Sequence, residues 1–209
     1  MRGKVEGKLC LFYWETFKNS MIIHTNMAIG TNPIKPLFFQ SPLQHWHFKD
    51  IIRESGLSRE RVNFYLRELL KEQFILRKKP TRKQPYYLAK IQNSGFRMEK
   101  RLYGLSLLQE SGLFEHLLSI QKIKTAILFG SFARGDWGKS SDIDLFVYGQ
   151  DTNLDRGKFE LKLHRELQVF SFKSVSEIKK KVSPALLFNI AKGFNIKGTL
   201  EPLEVSVHA

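Results

Sequence analysis

The chain has 209 residues, enough for one large domain or two small ones. Hydrophobic residues make up 42% of it and 17 are Phe, so a core can form and a wholly disordered chain is excluded. The formal net charge of +14 indicates a polyanionic partner, usually nucleic acid. The alternative is that this charge only keeps the protein soluble. The single cysteine, Cys10, excludes an internal disulfide and a cysteine-based zinc site, and a cytoplasmic location is expected.

Residues 1–32 are expected to form an N-terminal extension that belongs to neither domain described below. The apolar run at residues 9–14 is cut short by Glu15 and Lys18 and lacks a small-residue cleavage site, so no secretion signal is predicted. No run of about 18 apolar residues occurs, so no membrane span is predicted. Met21 and Met27 are candidates for a later natural start.

Residues 33–92 contain a predicted helix-turn-helix. A first helix is expected near residues 34–40, and a second over residues 48–55, stopping at Gly56. Ser58 is a candidate N-cap for the next helix, whose apolar positions recur with a period near 3.6. Residues 74–79 and 85–90 read as two strands of a hairpin with a basic loop. The preceding sequence His-Trp-His at residues 45–47 is expected to provide local packing.

This order of elements resembles the winged helix-turn-helix family. The resemblance implies that the second helix of the pair enters the DNA major groove while the wing follows the phosphates. Residues 51–100 hold 13 Lys and Arg against 5 Asp and Glu, which fits such a surface. The alternative is an ordinary charged helix and hairpin. The candidate DNA-binding residues are Arg59, Asn63, Arg67, Lys78, Lys79, Arg82 and Lys83.

Residues 93–119 are expected to form a helical connector. Seven large apolar positions give it a face to bury, and the pair Ser111-Gly112 is expected to break it into two helices. The apolar face would pack between domains or across a dimer.

The segment over residues 130–144 carries the clearest chemical signal. Gly130 and Ser131 follow an apolar run, and Asp142 and Asp144 flank Ile143 at the start of a second apolar run. Because a strand alternates its faces, the two aspartates are expected to point the same way. Two carboxylates opposite a glycine turn suit a magnesium-dependent phosphoryl or nucleotidyl transfer.

The spacing Gly-Ser-x10-Asp-x-Asp resembles the minimal nucleotidyltransferases of the DNA polymerase beta superfamily. The resemblance implies a nucleotidyltransferase domain over residues 120–209, in which Asp142 and Asp144 are catalytic and hold two Mg²⁺ ions with an NTP, expected to be ATP. It also implies that Gly130 and Ser131 bind nucleotide, while Arg134 either contacts phosphate or faces solvent. Small members of the family include antitoxins that adenylylate a partner toxin of the HEPN class.

Polymerase-like members carry a third carboxylate on a later strand, and Gln168 is the position matched to it. An amide is no base at neutral pH, so turnover is in question. Glu166, two residues earlier, is the alternative candidate for that role. Residues 183–198 resemble the family's terminal helix, and Lys192 and Lys197 are expected to be surface charges.

Together these expectations describe an α+β protein, with a winged helix-turn-helix domain before a small mixed sheet flanked by helices. The predicted function is transfer of a nucleoside monophosphate to a hydroxyl acceptor, such as a toxin-like partner protein, beside a module that binds double-stranded DNA. The alternative is a DNA-binding transcriptional regulator whose transferase domain is degenerate or senses nucleotide. A homodimer is the default expectation for a winged helix on a palindromic site.

Overall fold

A computed structural model describes residues 32–200 and residue 203. The chain divides into two compact units between Asn93 and Ser94. The predicted extension at residues 1–32 lies, apart from its last residue, outside the described residues. The predicted domain boundaries stay predictions. The mixed α+β character is confirmed, since both units combine helices with a small sheet.

The first unit has three helices and three short strands among its described residues. They are α1 (Lys35–Gln40), β1 (Trp46–His47), α2 (Phe48–Ser55), α3 (Arg59–Lys71), β2 (Ile75–Lys78) and β3 (Tyr86–Ala89). The strands pair antiparallel in the order β1-β3-β2. Strand β1 was not predicted: Trp46 is buried and meets the Phe38 ring edge-on, while His45 stacks on Tyr86.

Local capping explains the boundaries of the two central helices. Gly56 ends α2 with a φ of 66°, a backbone conformation that costs glycine little. Ser58 accepts a hydrogen bond from the Arg61 amide and so caps α3. Two residues of the turn itself, Gly56 and Ser58, therefore set where α2 ends and where α3 begins. Val62, Leu66 and Leu69 bury the inner face of α3.

The second unit begins with two helices and then alternates strands and helices. Its elements are α4 (Ser94–Glu110), α5 (Leu113–Ser119), β4 (Ile123–Phe129), α6 (Gly130–Arg134), β5 (Ile143–Gly149), α7 (Arg156–Leu163), β6 (Leu167–Phe172), α8 (Val175–Lys181), α9 (Pro184–Ala191) and β7 (Phe194–Lys197). The sheet order is β6-β5-β4-β7, with β5 and β6 parallel and the other pairs antiparallel. The sheet's centre is apolar: β4 and β5 bury nearly every side chain in the middle of each strand.

The expectation of one terminal helix over residues 183–198 is wrong. Helix α9 ends at Ala191, and Phe194–Lys197 forms β7 on the edge of β4. Gly193 precedes β7 and lies close to β4, where a Cβ would overlap the Leu128 carbonyl oxygen, so glycine permits this approach.

Lys197, expected to be a surface charge, is partly buried, and its ammonium is bonded to the backbone. Its Nζ donates to the carbonyl oxygens of Leu118, at 3.0 Å, and Ile120, at 2.8 Å. These carbonyls lie at the C-terminal end of α5, where a cation complements the helix dipole. Lys192 is exposed, as expected, and lies over the Phe188 ring.

Within residues 32–200 and at residue 203, no helix combines the length and apolar character needed to cross a membrane.

Candidate active site

The glycine turn and the second aspartate meet because β4 and β5 pair antiparallel. Phe129, the last residue of β4, lies opposite Asp144 in the register, and Gly130 follows directly. Gly130 has a φ of 70°, and a Cβ at this position would overlap the Asp144 Oδ2 atom. Glycine is therefore required twice over, by the backbone conformation and by the approach of the carboxylate.

Asp142 and Asp144 stand at the start of β5 and are both partly exposed, whereas Ile143 between them is fully buried. Burial raises the pKa of Asp144 above its ordinary value, and the neighbouring Asp142 charge raises it further. Arg134 acts in the opposite direction on the same pKa. The pair is thus a local concentration of negative charge, which a divalent cation with its preference for oxygen ligands would relieve.

Gln168 lies in this site. Strand β6 runs parallel to β5 with Gln168 as the register partner of Asp144. The Gln168 Nε2 atom donates a hydrogen bond to Asp142 Oδ2 at 2.8 Å. A carboxylate has only acceptors, so the amide nitrogen is the atom that faces Asp142. Glu166, the alternative candidate, is exposed and precedes β6.

Arg134 and Ser131 belong to α6, directly after the glycine. The Arg134 side chain is exposed, and its Nε donates to Asp136 Oδ2 at 3.0 Å. Ser131 is partly buried, and its carbonyl accepts the amides of Gly135 and Asp136 to close the short helix. Ser131 directly follows Gly130, which packs against Asp144, and Arg134 is close enough to Asp144 to lower the pKa of that carboxyl. Arg134 can exchange its ion pair with Asp136 for an anionic ligand.

The loop that delivers Asp142 is held by residues that the sequence analysis did not select. Arg165 Nη1 donates to the carbonyl oxygens of Gly138, at 2.8 Å, and Ser141, at 2.7 Å. Trp137 is fully buried in the same loop and stacks on Phe132 with ring centroids 5.0 Å apart. The available sequence signal was a tryptophan between two loop glycines, too large and apolar for an exposed turn.

Lys100 of α4 also contacts this loop. It is 2% exposed, and its Nζ lies 4.7 Å from the centre of the Trp137 ring. Burial lowers the pKa of Lys100 to about 8, against the opposing effect of Asp136. The loop before Asp142 is therefore packed between α4 and the segment that follows α7.

Among residues 32–200 and 203, no cluster of three or more His, Cys, Asp or Glu side chains is arranged to hold a metal ion. The two aspartates are the acidic ligands that this part of the chain brings together. Their oxygens fit a hard cation such as Mg²⁺, which normally takes one or two carboxylates and completes its shell with phosphates and water.

The candidate DNA-binding residues are all exposed. Arg59, Asn63 and Arg67 lie on α3 and are not among its buried residues, and the Arg59 guanidinium lies over the Phe48 ring. Lys78 ends β2, and Lys79, Arg82 and Lys83 follow in the hairpin loop. The first unit therefore presents a basic helix face and a basic hairpin to solvent.

Residues 114–197 match the family model described as "Polymerase beta, Nucleotidyltransferase". The match confirms a nucleotidyltransferase domain in this part of the chain, which includes both aspartates and Gln168.

Two solved structures are also similar. A crystal structure of a toxin–antitoxin with AMP-PNP has 23% identity and a TM-score of 0.30, covering 49% of this chain and 76% of that chain. A toxin–antitoxin MntA-HpeT mutant has 20% identity and a TM-score of 0.30, covering 51% and 79%. No curated protein matches the sequence.

Proposed function

We propose that the second unit transfers a nucleoside monophosphate, AMP from ATP, to a hydroxyl group of an acceptor. One observation carries the proposal: the Asp144 carboxylate packs against Gly130, in the place that a side chain there would fill, and the Asp142 charge lies close enough to raise the pKa of Asp144. The match of residues 114–197 to a nucleotidyltransferase model supports the same reaction class.

In this proposal Asp142 and Asp144 hold Mg²⁺ with the triphosphate. The cation would supply neutralisation of charge on the α-phosphate and on the leaving pyrophosphate. The Ser131 hydroxyl donates to a phosphate oxygen, and the Arg134 guanidinium provides a further positive charge at the edge of the site. Gly130 lets the triphosphate approach the backbone.

The acceptor hydroxyl oxygen attacks the α-phosphorus and forms a new P–O bond. The bond from the α-phosphorus to the oxygen that bridges it to the β-phosphate breaks, and pyrophosphate leaves with that electron pair. The hydroxyl proton passes to solvent or to a base of the acceptor, because the Gln168 amide cannot take it at neutral pH.

The proposed acceptor is a protein partner of the toxin class. This part of the proposal rests on the resemblance of the Gly-Ser-x10-Asp-x-Asp motif to small antitoxins. The first unit is proposed to be a winged helix-turn-helix that binds double-stranded DNA, which its exposed basic α3 face and hairpin support.

A labelling experiment tests the transfer. ATP radiolabelled at the α-phosphate should label the acceptor in the presence of Mg²⁺, whereas ATP labelled at the γ-phosphate should not. The variants Asp142→Asn and Asp144→Asn should each lower labelling at least 100-fold, on the order expected for loss of a main electrostatic group.

The matched control is Asp151→Asn, the same chemical change in an aspartate that pairs with Arg156. It should retain full labelling. Labelling from the γ-phosphate, or undiminished labelling by both site variants, would show that this site does not catalyse nucleotidyl transfer.

The hydrogen bond from Gln168 to Asp142 favours a second candidate function. An amide at the position matched to a carboxylate suits a domain that binds nucleotide without turnover. The chain would then be a DNA-binding regulator that senses nucleotide, and duplex binding would change with ATP while the labelling experiment stayed negative.

A further inference from the structure

The Gln168 amide lies in the candidate active site. Its Nε2 donates to Asp142 Oδ2 at 2.8 Å, so one oxygen of that carboxylate accepts an amide proton. A metal ion and an N–H donor compete for the same lone pairs of an oxygen. The interaction therefore reduces the ligand capacity of Asp142.

The position of Gln168 is determined by its backbone neighbours. Leu167 is buried, and its amide donates to Glu160 Oε1 at 3.0 Å. The Ile143 amide donates to the Glu166 carbonyl at 2.9 Å, which joins the starts of β5 and β6. Gln168 is thus presented to Asp142 by the register of the parallel strands, so the hydrogen bond is built into the sheet.

Sites that hold two divalent cations place them about 3.5–4 Å apart and need enough oxygen ligands for both. Here two aspartates face the site, and one of their oxygens accepts an amide hydrogen bond. The remaining oxygens suit a single Mg²⁺, which keeps phosphate and water ligands and uses only one or two carboxylates.

We propose that this site binds one divalent cation with the triphosphate, and that Gln168 sets this number by occupying the place of a third carboxylate. The inference rests on the proposed metal and nucleotide site. It concerns how many cations Asp142 and Asp144 hold, and it differs from the two ions that the family resemblance implies.

The test counts bound Mn²⁺, used as a paramagnetic substitute for Mg²⁺. The full chain is titrated with Mn²⁺ in the presence of an ATP analogue whose bond between the α- and β-phosphates cannot be cleaved, and free Mn²⁺ is measured by electron paramagnetic resonance. The ions carried by the analogue alone are measured separately. We expect one Mn²⁺ per chain for the natural sequence and two for Gln168→Glu, which has the same length but a third carboxylate.

Gln150→Asp is the matched control. Gln150 is exposed and lies just beyond the C-terminal end of β5, whereas the aspartates lie at the start of that strand. This variant therefore adds a negative charge away from the site. It should bind one Mn²⁺, as the natural chain does. Two Mn²⁺ in this control would show that added charge alone recruits the second ion, and would overturn the role of Gln168.

Thermal unfolding provides a readout independent of nucleotide. In EDTA, Gln168→Glu should have a lower Tm than the natural chain, because it loses a hydrogen bond and gains an uncompensated negative charge. Mn²⁺ should raise the Tm of Gln168→Glu more than that of the natural chain. Equal effects of Mn²⁺ on both would count against the inference.

The count for the natural chain is decisive even if Gln168→Glu does not fold. One ion supports the inference, and two ions overturn it while leaving the proposed function intact. No ion, together with no binding of the nucleotide analogue, overturns the inference and the proposed site together. One ion in a folded Gln168→Glu shows that Gln168 does not set the number.

Discussion

At the scale of single residues, the candidate site is arranged at the expense of stability. Asp144 is placed against Gly130 and beside Asp142, where burial and like charge both raise its pKa. A carboxyl whose pKa is raised in the folded state favours folding while it is protonated. That contribution is lost as the pH rises through the folded-state pKa. At neutral pH without metal, the charged Asp144 therefore opposes folding.

The variant Asp144→Asn is consequently expected to unfold at a higher temperature than the natural chain at pH 7 in EDTA. A rise of about 2 °C is expected, small because solvent screens a carboxylate that is only half-buried. The difference should shrink as the pH falls below the raised pKa, where the natural aspartate is protonated and also neutral. Calorimetry across pH 3.5–7 measures both effects.

Asp151→Asn serves as the comparison, since Asp151 forms an ion pair with Arg156 at 2.7 Å. Its Tm should be unchanged or slightly lower. Mg²⁺ with ATP should stabilise the natural chain and leave Asp144→Asn little affected. A lower Tm for Asp144→Asn at pH 7 in EDTA would contradict this account of the site.

At the scale of elements, the loop between α6 and β5 decides where Asp142 stands. Trp137 is buried, and its Nε1 has no hydrogen-bond partner among the residues that the structure describes, so apolar packing rather than hydrogen bonding holds the ring. Arg165 lies 5.2 Å from the centre of that ring and bonds two loop carbonyls. One guanidinium therefore connects the end of the loop to the residues that lead into β6.

Replacing Arg165 with Met should remove these two hydrogen bonds while keeping much of the side-chain volume. The expected loss is about 2 kcal/mol of unfolding free energy, in the range for hydrogen bonds to a charged group. Arg165→Lys should recover only part of it, because a single ammonium lacks the planar fork of donors. Urea denaturation of the three proteins gives the comparison.

Arg156→Met is the control, since Arg156 makes a partly exposed ion pair at the start of α7. Losing this ion pair should lower the free energy of unfolding by less than about 1 kcal/mol. Arg165→Met should also reduce nucleotidyl transfer more than this control does. If Arg165→Met and Arg156→Met had equal stability and activity, Arg165 would not position the loop.

At the scale of the whole molecule, the formal net charge is +14, and residues 51–100, with 13 Lys and Arg against 5 Asp and Glu, hold much of it. The described part of the first unit exposes basic residues on α3 and on the hairpin between β2 and β3. If these residues contact DNA, each phosphate contact releases counterions and steepens the salt dependence of binding.

The double variant Lys78→Gln, Lys79→Gln should weaken binding to duplex DNA regardless of sequence. It should reduce the slope of log Kd against log salt by about 2, close to one for each lost phosphate contact. Fluorescence anisotropy over a series of KCl concentrations measures the slope. Lys179→Gln, Lys180→Gln, an equal change of charge on α8 of the second unit, should leave it unchanged. Equal slopes for both variants would exclude the hairpin as the contact surface.

Much of the local structure could be predicted because its causes lie close together in the chain. Gly56 and Ser58 ended one helix and began the next through contacts within a few residues. Gly130 and the alternation of Asp142 with Ile143 likewise indicated a turn and a strand with two carboxylates on one face. The structure brings Gly130 and the two aspartates together, and the match to the nucleotidyltransferase model over residues 114–197 covers them.

Other features depended on contacts between distant residues and were missed. The strand β7 pairs with β4, and Gly193 before it permits a close approach that no helical periodicity indicates. Lys197 reaches carbonyls at the end of α5, nearly 80 residues earlier in the chain. Arg165 stands 24 residues from the Ser141 carbonyl that it binds.

The amino-acid sequence by itself determined the chemical groups of the candidate site and the turn that brings the glycine to them, because both depend on spacing within one strand–turn–strand segment. Only the tertiary structure decided what Gln168, the residue at the position of the third carboxylate, does. The parallel register of β5 and β6 places Gln168 beside the aspartates, and its amide bonds Asp142. Such a pairing depends on a crossover through α7 and a register between strands, which the local pattern of residues cannot specify.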